Sequence, residues 1–252
     1  MVSLAYMKDV LKLQVVHEDP SFLVVDKQAT LPTVPLKDDP ADKQTLLSLI
    51  SERYPEVLEI SGNNTWEGGV LHRLDTATSG LVVVARTKQA YAFLRTIQKA
   101  DLFWKEYRAQ SSIYKPEVIE GFPPYPYEDP FASKGKEVFI GSLFRRYGEH
   151  HREVRPVLAA SPKHLLDKTT GTWYLTKVCY SGDLGNGSKQ FTCRLSSGFH
   201  HQVRAHLAWS GWPLDGDTFY RGKEQSGLGL RCVAVQLLHP VTQQQLEIRL
   251  DT

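Results

Sequence analysis

One carboxylate in a short basic segment is the first residue of this sequence that could do chemistry. Asp75 follows His72 and Arg73 and precedes a small polar turn at 76–80, which leads into the apolar run 81–85. A carboxylate near an arginine, at the mouth of a buried strand, would stay ionised and could act as a nucleophile or a base. The same pattern also fits a turn aspartate that accepts hydrogen bonds from backbone amides, and the spacing alone leaves both interpretations open.

Three histidines and an arginine form a second segment of possible chemistry. His200, His201 and His206 are common metal ligands, but His201 and His206 are five residues apart, not the four that place two ligands on one helix face. No acidic residue stands where a zinc protease would need one. We therefore predict no metal ion in this chain, and we expect Arg204, on the same helix, to point toward a buried carboxylate such as Asp75.

A basic cluster lies in the sequence RRYGEHHREVR, at 145–155. Basic side chains neutralise RNA phosphates, so the cluster predicts an RNA-binding segment, with a solvated loop as the alternative. A proline-rich stretch before it holds Tyr125 and Tyr127, whose rings could stack on unpaired bases. The arginines of the cluster are Arg145, Arg146, Arg152 and Arg155.

The composition of the 252 residues is that of an ordinary globular protein, with 41% hydrophobic and 23% charged residues. Thirty basic and 28 acidic side chains leave a net charge of +2, so RNA contacts would come from a local patch rather than from a generally basic surface. Three cysteines without a CxxC pair fit reduced thiols, and no apolar run is long enough to span a membrane. We expect a cytoplasmic protein without structural zinc or a membrane segment.

The pattern of apolar residues predicts more strands than helices. Runs rich in β-branched residues around turns predict hairpins, and apolar residues at helical spacing after Thr45 and Thr87 predict two capped helices. Residues 115–170 have many prolines and weak periodicity, so we expect a long irregular insertion within a single domain spanning 1–252. These features favour an α+β fold with a large, mostly antiparallel sheet. The expected strands are 13–17, 22–26, 81–85, 104–113, 137–140, 172–180, 190–195, 233–238 and 246–250, and a third helix is expected at 200–209.

The segment around Asp75 resembles the central motif of the RluA-type RNA pseudouridine synthases. That motif reads His-Arg-Leu-Asp, two further residues and Thr-Ser-Gly-Leu, and this chain has the same residues at 72–75 and 78–81. The resemblance implies the pseudouridine synthase fold, a mixed sheet with flanking helices around a central active-site cleft. Further matches keep the family order: VVHEDPSFLVVDKQATLPT at 15–33, Lys105 to Ala109, His201 to His206, and Gly216-Asp217 with Tyr220.

The chain also departs from the family pattern. It has Ser197-Gly198-Phe199-His200 where the family usually has Thr-Gly-Arg before a His-Gln pair, so one usual arginine is missing. Gln28 and Thr30 stand where proline and glycine are commoner, and Leu230-Arg231-Cys232 replaces Leu-His-Ala. Because the pattern begins near residue 13, we expect no accessory RNA-binding domain in front of the catalytic domain.

The resemblance implies an isomerase that converts uridines of ribosomal or transfer RNA to pseudouridine, without a metal or another cofactor. Asp75 then corresponds to the essential carboxylate of the family, and Arg204 is expected to keep it ionised and oriented. Tyr107 corresponds to a tyrosine that offers a flat wall for the uracil and a hydroxyl able to help proton movement at carbon 5. These three residues are the expected catalytic group.

RNA is therefore the expected partner, bound by a monomer. A stacked uridine cannot reach Asp75, so it must be flipped out of the helix. By the resemblance, His72 and Arg73 lie in the loop that would enter the stack, and His201 is expected beside the RNA. The arginine cluster at 145–155 would then hold phosphates.

Two other functions remain open at this point. A catalytically silent RNA-binding paralogue would keep the same fold; a changed Asp75 or Tyr107 would favour it, and both residues are present. A nucleoside or glycoside hydrolase that uses Asp75 is the other possibility. A glycosidase normally needs two paired carboxylates, however, and no motif marks a second one here.

Overall fold

A sheet of ten strands organises the part of the chain that the structure describes. The structure is a computed structural model and describes residues 12–37, 39–40, 42–62, 64–115, 117–132 and 135–251. Its α-helices in these ranges are α1 (Leu46–Arg53), α2 (Lys88–Lys99), α3 (Lys163–Leu166) and α4 (Gln202–Trp209). Its strands are β1 (Gln14–Glu18), β2 (Phe22–Lys27), β3 (Ser79–Ala85), β4 (Trp104–Ser111), β5 (Val138–Tyr147), β6 (Glu153–Val157), β7 (Tyr174–Asp183), β8 (Lys189–Leu195), β9 (Leu230–Leu238) and β10 (Gln245–Arg249).

The strand order is β1-β2-β3-β9-β4-β8-β7-β5-β6, with β10 also paired to β9. Among the described strands, neighbours run antiparallel except β3 and β9, which are parallel over two residue pairs, Ser79 with Arg231 and Gly80 with Cys232. Gly80 permits this contact, because its φ is 113° and a Cβ there would lie 2.1 Å from the carbonyl oxygen of Cys232. The β3–β9 contact, the seam of the sheet, thus lies directly behind the turn that follows Asp75.

Local sequence explains where the first two helices begin. The Thr45 side chain accepts a hydrogen bond from the backbone N of Ser48 at 3.1 Å, and the Ser48 hydroxyl accepts one from the backbone N of Thr45 at 2.9 Å. Thr87 accepts a hydrogen bond from the backbone N of Ala90 in the same way. Both predicted caps are confirmed, and the predicted strands occur with ends shifted by a few residues. None of the helices in the described ranges is long and apolar enough to cross a membrane.

The segment 115–170 is more regular than its sequence suggested. Strands β5 and β6 form an antiparallel hairpin, and β5 also pairs with β7, so both strands belong to the sheet. The expectation of one long irregular insertion is therefore wrong for 138–157. The short strand predicted at 137–140 is the beginning of β5, whose apolar alternation is interrupted by Gly141 and by the Arg145-Arg146 pair.

The irregular part of this segment packs on α4. The rings of Tyr125 and Tyr127 meet Trp209 edge to face, with centroids 5.5 and 5.8 Å away. The Trp209 indole donates a hydrogen bond to the carbonyl oxygen of Pro123 at 2.7 Å, and the Tyr127 hydroxyl donates to that of Gly141. The expectation that the two tyrosines stack on unpaired bases is wrong, because both rings are partly buried against the helix.

Two elements bring the site residues to one side of the sheet. Every second residue of β4 is buried, so Lys105 and Tyr107 face the same way. Helix α4 follows β8 and is buried along its whole length, which places Arg204 inside the protein rather than on its surface. This mixed sheet with flanking helices is the expected α+β architecture.

Candidate active site

An open cleft of about 1210 Å³ lies on this side of the sheet. Its walls come from the loop before β3, from β4 and from the loop between β8 and α4. Segments that are distant in sequence therefore meet in one place, as the sequence predicted. The residues that line the cleft include Asp75, Tyr107 and Arg204, together with His72, Arg73, Arg152, His200 and His201.

Arg204 is held by two carboxylates. Its Nη1 donates to Oδ2 of Asp75 at 3.2 Å, while its Nε and Nη2 donate to the two oxygens of Asp217 at 2.7 and 2.8 Å. Burial lowers the pKa of Arg204, but the hydrogen bonds and charge of Asp217 and the charge of Asp75 outweigh it and raise this pKa. Asp217 is buried, whereas 23% of the Asp75 side chain is exposed to the cleft. Arg204 thus stays charged and orients a carboxylate that a substrate can reach.

Asp217 was missed as a site residue by sequence reasoning. The match of Gly216-Asp217 and Tyr220 to the family pattern did mark this aspartate. The match does not show, however, which residue the aspartate binds. Gly216 fixes the backbone at this point, since its φ is 76° and a Cβ there would lie 1.9 Å from the carbonyl oxygen of Gly227. The tight turn directs Asp217 toward Arg204.

Lys27 fixes the loop that carries Asp75, and it too was missed. The Lys27 ammonium donates to the carbonyl oxygens of Leu31 at 2.7 Å and Thr76 at 3.2 Å, and Thr78 closes the turn by donating its N–H to the carbonyl oxygen of Asp75. Lys27 is completely buried, and burial lowers its pKa from 10.5 to about 8. The available signal was its place within the opening motif at 15–33. Lys27 ties the end of β2 to the residue after Asp75.

His201 supports Arg204 from the other side. It is 7% exposed, its Nδ1 lies 3.2 Å from the Tyr220 hydroxyl, and its Nε2 contacts Nη1 of Arg204. Burial, and then the charges of Arg204 and His200, lower the pKa of His201 to about 2, so the neutral ring accepts a hydrogen bond from the guanidinium. Both ring nitrogens are engaged within the protein, which gives His201 a supporting role, and its expected contact with RNA stays a prediction.

Tyr107 forms a wall of the cleft beside Asp75. It lies opposite Cys232 in the pairing of β4 with β9 and is 7% exposed. Burial, and then Cys232 and Asp75, raise the pKa of the Tyr107 hydroxyl well above 10.0. The flat wall matches the expectation, while the hydroxyl stays protonated at neutral pH and is a poor base.

The two residues expected to enter an RNA stack differ in their surroundings. The His72 ring accepts a hydrogen bond from the backbone N of Val83 in β3 at 3.2 Å, and burial lowers its pKa well below 6.5. This ring is fixed against the sheet although it lines the cleft, and its expected entry into an RNA stack stays a prediction. Arg73 keeps 58% of its side chain exposed and forms an ion pair with Glu67 at 3.0 Å, so it remains a candidate.

Arg145 and Arg155 make their contacts within the β5–β6 hairpin and the segment packed on it. Arg155 is 4% exposed, pairs with Glu153 at 2.7 Å and lies 4.1 Å over the Tyr147 ring. Arg145 stands opposite Arg155 in the β5–β6 register and packs over the same ring at 4.9 Å. The expectation of a phosphate contact is wrong for Arg155, because its guanidinium is buried and paired within the protein, whereas Arg145 is only half-buried and its expected phosphate contact stays a prediction.

The other two arginines of the cluster are exposed near the cleft. Arg152 lines the cleft itself. Arg146 lies close enough to His200 for its charge to lower the pKa of that imidazole. These two stay predicted phosphate contacts.

Three potential metal ligands lie close together in the cleft. Ligand atoms of Asp75, His200 and His201 lie within 4.8 Å of one another, and carboxylates and imidazoles are donors that zinc accepts. The Arg204 guanidinium, however, contacts both Asp75 and His201. A metal ion would have to displace this buried charge from its partners, so the arrangement favours an ion pair over a metal centre.

Sequence comparison assigns the family. A family model described as RNA pseudouridylate synthase matches residues 21–209, which include Asp75, Tyr107 and Arg204. The chain belongs to the RNA pseudouridylate synthase family. The resemblance inferred from its motifs is thereby confirmed.

Curated relatives cover nearly the whole chain at low identity. Ribosomal large subunit pseudouridine synthase D of Vibrio parahaemolyticus is 26% identical over 252 residues, which are 93% of this chain and 66% of that protein. An uncharacterized RNA pseudouridine synthase of Bacillus subtilis is 24% identical over 256 residues, which are 97% of this chain and 74% of the relative. The chain thus spans about two thirds of the length of the first of these relatives.

Solved structures show the same fold. Human RNA pseudouridylate synthase domain containing 1 superposes with a TM-score of 0.63 at 20% identity, covering 96% of this chain and 84% of that one. Human RNA pseudouridylate synthase domain containing 4 gives a TM-score of 0.63 at 15% identity, with 94% and 88% coverage. The predicted α+β pseudouridine synthase fold is confirmed.

Proposed function

We propose that this protein is an RNA pseudouridine synthase, an isomerase that converts specific uridines of structured RNA to pseudouridine. The observation that carries the proposal is the ion pair between Asp75 and Arg204 in a cleft walled by Tyr107. Family membership supplies the reaction class, and the geometry supplies an oriented carboxylate that the substrate can reach.

The reaction moves one bond within a nucleotide. The bond between ribose C1′ and uracil N1 breaks, a bond between C1′ and uracil carbon 5 forms, carbon 5 loses a proton, and N1 gains one. Of the two carboxylates bound to Arg204, Asp75 reaches the cleft and Asp217 does not, so Asp75 is the group that reacts as nucleophile or base. The ring of Tyr107 gives the detached uracil a flat surface on which to turn.

The uridine has to leave its helix to reach this site. Flipping a base costs a few kcal/mol of unstacking, which contacts elsewhere on the RNA must offset. Arg73, exposed beside the cleft, is positioned to fill the gap that the flipped base leaves. Arg146 and Arg152 supply positive charge that can hold phosphates near the cleft.

Ribosomal RNA is the substrate class that we propose first, with transfer RNA as the second. The support is the name of relatives such as that of Vibrio parahaemolyticus, which assigns them to the ribosomal large subunit. Mapping pseudouridines in both classes of RNA distinguishes the two substrates.

Pseudouridine mapping in total RNA tests the proposed activity. RNA from cells with and without this gene is compared, and the deletion strain is complemented with the wild-type gene or with Asp75→Asn. We expect one or a few pseudouridines to disappear on deletion and to return with the wild type only. Identical maps in all strains, with the protein expressed, would contradict the proposed function.

A further inference from the structure

Phe219 presents an exposed aromatic ring inside the cleft. The residue is 40% exposed, and it lines the same cavity as Asp75. It stands at a position that the Gly-Asp-x-x-Tyr pattern leaves open, so the family resemblance gives it no role. A single exposed apolar residue is common on protein surfaces, but an aromatic ring inside a binding cleft is placed to contact a ligand.

The backbone around Phe219 holds this ring in place. The residue lies in the one-turn 3₁₀ helix Thr218–Tyr220, where Asp217 accepts a hydrogen bond from the Phe219 N–H at 3.2 Å. The next residue, Tyr220, is completely buried, and its hydroxyl accepts a hydrogen bond from the backbone N of Val154 at 3.0 Å. The turn therefore anchors one aromatic residue in the core and leaves its neighbour in the cleft. A ring that is fixed before binding loses little entropy when a ligand covers it.

Arg204 lies between this ring and the proposed reactive carboxylate. Its guanidinium carbon is 5.5 Å from the centroid of the Phe219 ring, and its Nη1 donates to Asp75 at 3.2 Å. The His201 ring lies 5.7 Å from the Phe219 ring, with the two planes inclined by 44°. Phe219 is thus one side chain away from Asp75. A base that covers Phe219 would therefore be a close neighbour of a uridine bound at Asp75.

We propose that Phe219 is a stacking surface for an unpaired base next to the target uridine, an inference that rests on the proposed function. Every nucleobase has a flat face that stacks on an aromatic ring. The exposed cations Arg73 and Arg152 line the same cleft, and they attract the phosphates of a nucleic acid rather than an apolar peptide. A base held on Phe219 has left its own helix. The preferred substrate is then a uridine in a loop or bulge, flanked by at least one unpaired nucleotide.

Equilibrium binding of an RNA fragment tests this surface. The fragment contains a uridine whose modification is lost when the gene is deleted, and every protein carries Asp75→Asn, so that the RNA is not converted during the measurement. Phe219→Ala should weaken binding by about 5- to 150-fold, the contribution of one base stacked on an aromatic ring. Phe219→Tyr keeps an aromatic ring and should bind as tightly as the protein with Phe219. Equal affinities of the alanine variant and the protein with Phe219 would overturn the proposal.

Phe139 provides a matched control for the loss of an exposed ring. It is 47% exposed and does not line the cleft, and Nζ of Lys177 lies 5.5 Å from its ring centroid, the same distance as that of the Arg204 guanidinium carbon from the Phe219 ring. Phe139→Ala should therefore leave the RNA affinity unchanged. Urea midpoints are measured on all variants. If Phe219→Ala has a lower midpoint, Phe219→Leu takes its place, since leucine keeps most of the volume without a flat ring.

The kinetic constants separate stacking from a structural role at Arg204. In the protein with Asp75 intact, Phe219→Ala should raise KM for the RNA fragment and keep kcat, because RNA binding is weakened while the ion pair of Asp75 and Arg204 is unchanged. A variant that lowers kcat and leaves KM unchanged would show that Phe219 only holds Arg204 in place. That result would overturn the proposal.

Removing single bases from the RNA identifies the nucleotide that Phe219 contacts. Each nucleotide next to the target uridine is replaced in turn by an abasic one. With Phe219 present, one of these replacements should weaken binding by about the same factor as Phe219→Ala. In the Phe219→Ala variant the same replacement should have no further effect, because the stacked pair is already lost. If every replacement weakens binding equally with and without Phe219, the base and the ring do not interact and the proposal is wrong.

The outcomes also distinguish this inference from the proposed function. If the wild-type protein forms no pseudouridine in any RNA, the proposed function fails, and there is no target uridine whose neighbour could stack on Phe219. If the wild type is active and no flanking base is coupled to Phe219, only the stacking role fails.

Discussion

The guanidinium of Arg204 lies 3.2 Å from the carboxylate of Asp75, although 129 positions separate the two residues in the sequence. Arg204 points one nitrogen at Asp75 because Asp217 fixes its other two donor groups. The proposed reactive carboxylate is therefore oriented by an arginine whose own position is fixed by a buried aspartate. The Asp75 carboxylate is thus oriented before the substrate binds, so the reaction step does not bear the entropic cost of orienting it.

Asp75→Asn should abolish pseudouridine formation and leave fold and RNA binding intact. The amide keeps the size of the side chain and removes the charge that a nucleophile or base requires, so we expect turnover to fall by at least about 10²-fold. Release of tritium from RNA labelled at carbon 5 of uridine measures turnover. The urea midpoint and the RNA dissociation constant of the same variant are the controls, and turnover at the wild-type rate would refute the role of Asp75.

Asp217→Ala should reduce both stability and turnover. It leaves the buried guanidinium of Arg204 without its bidentate partner, and breaking a buried ion pair costs about 3–5 kcal/mol in the free energy of unfolding. Asp167→Ala, whose carboxylate forms an exposed pair with Lys163, is the matched control and should change stability little. Urea unfolding of both variants decides the matter: similar midpoints would mean that the Asp217 contact does not hold the site together.

Replacing Arg146 and Arg152 with glutamine should weaken RNA binding and flatten its dependence on salt. For every phosphate that is no longer neutralised, the slope of log affinity against log salt should become shallower by about 0.7–0.9. A Lys163→Gln, Lys168→Gln double variant removes the same charge from exposed positions at α3 and serves as the control. Dissociation constants across a salt series are the measurement. Parallel lines of equal affinity would show that the two arginines are only solvated.

Lys27→Met should change how stability depends on pH in the alkaline range. In the folded protein the pKa of Lys27 is about 8, against 10.5 in the unfolded chain, so between these values the unfolded state binds more protons. The contribution of Lys27 to the free energy of unfolding therefore rises as the pH increases from about 8 to 10.5. We expect the stability of the wild type relative to Lys27→Met to increase over this range in urea titrations. A constant difference would contradict the buried ammonium.

The sheet could largely be predicted from the sequence because most of its strands have a local signature. Thr45 and Thr87 mark the starts of two helices through hydrogen bonds to residues three positions away, which a sequence displays directly. Strand β5 was predicted for only part of its length, since its apolar alternation fails at Gly141 and its place in the sheet depends on pairing with β7. Pairings of that kind are set by the whole fold.

The site residues also divide into those that the sequence predicts and those whose surroundings are set by the whole fold. The resemblance to the family singled out Asp75, Tyr107 and Arg204, and the structure places all three at the cleft. The surroundings of His72 and Arg155 could not be predicted, because they depend on how the chain folds. His72 contacts the backbone of β3, and Arg155 packs over the ring of Tyr147. A histidine or arginine in a motif is equally compatible with binding a ligand and with bracing a loop.

Strand β9 has a consequence for biosynthesis. It contacts β3 over only two residue pairs, but it pairs with β4 from Trp104 to Ala109, so β4 lacks its partner on that side until residues 230–238 have been made. Every second residue of β4 is buried. An uncovered edge of such a strand is a template for pairing between chains. A stop codon just before Leu230 should therefore produce insoluble protein, rather than a shortened enzyme with residual activity.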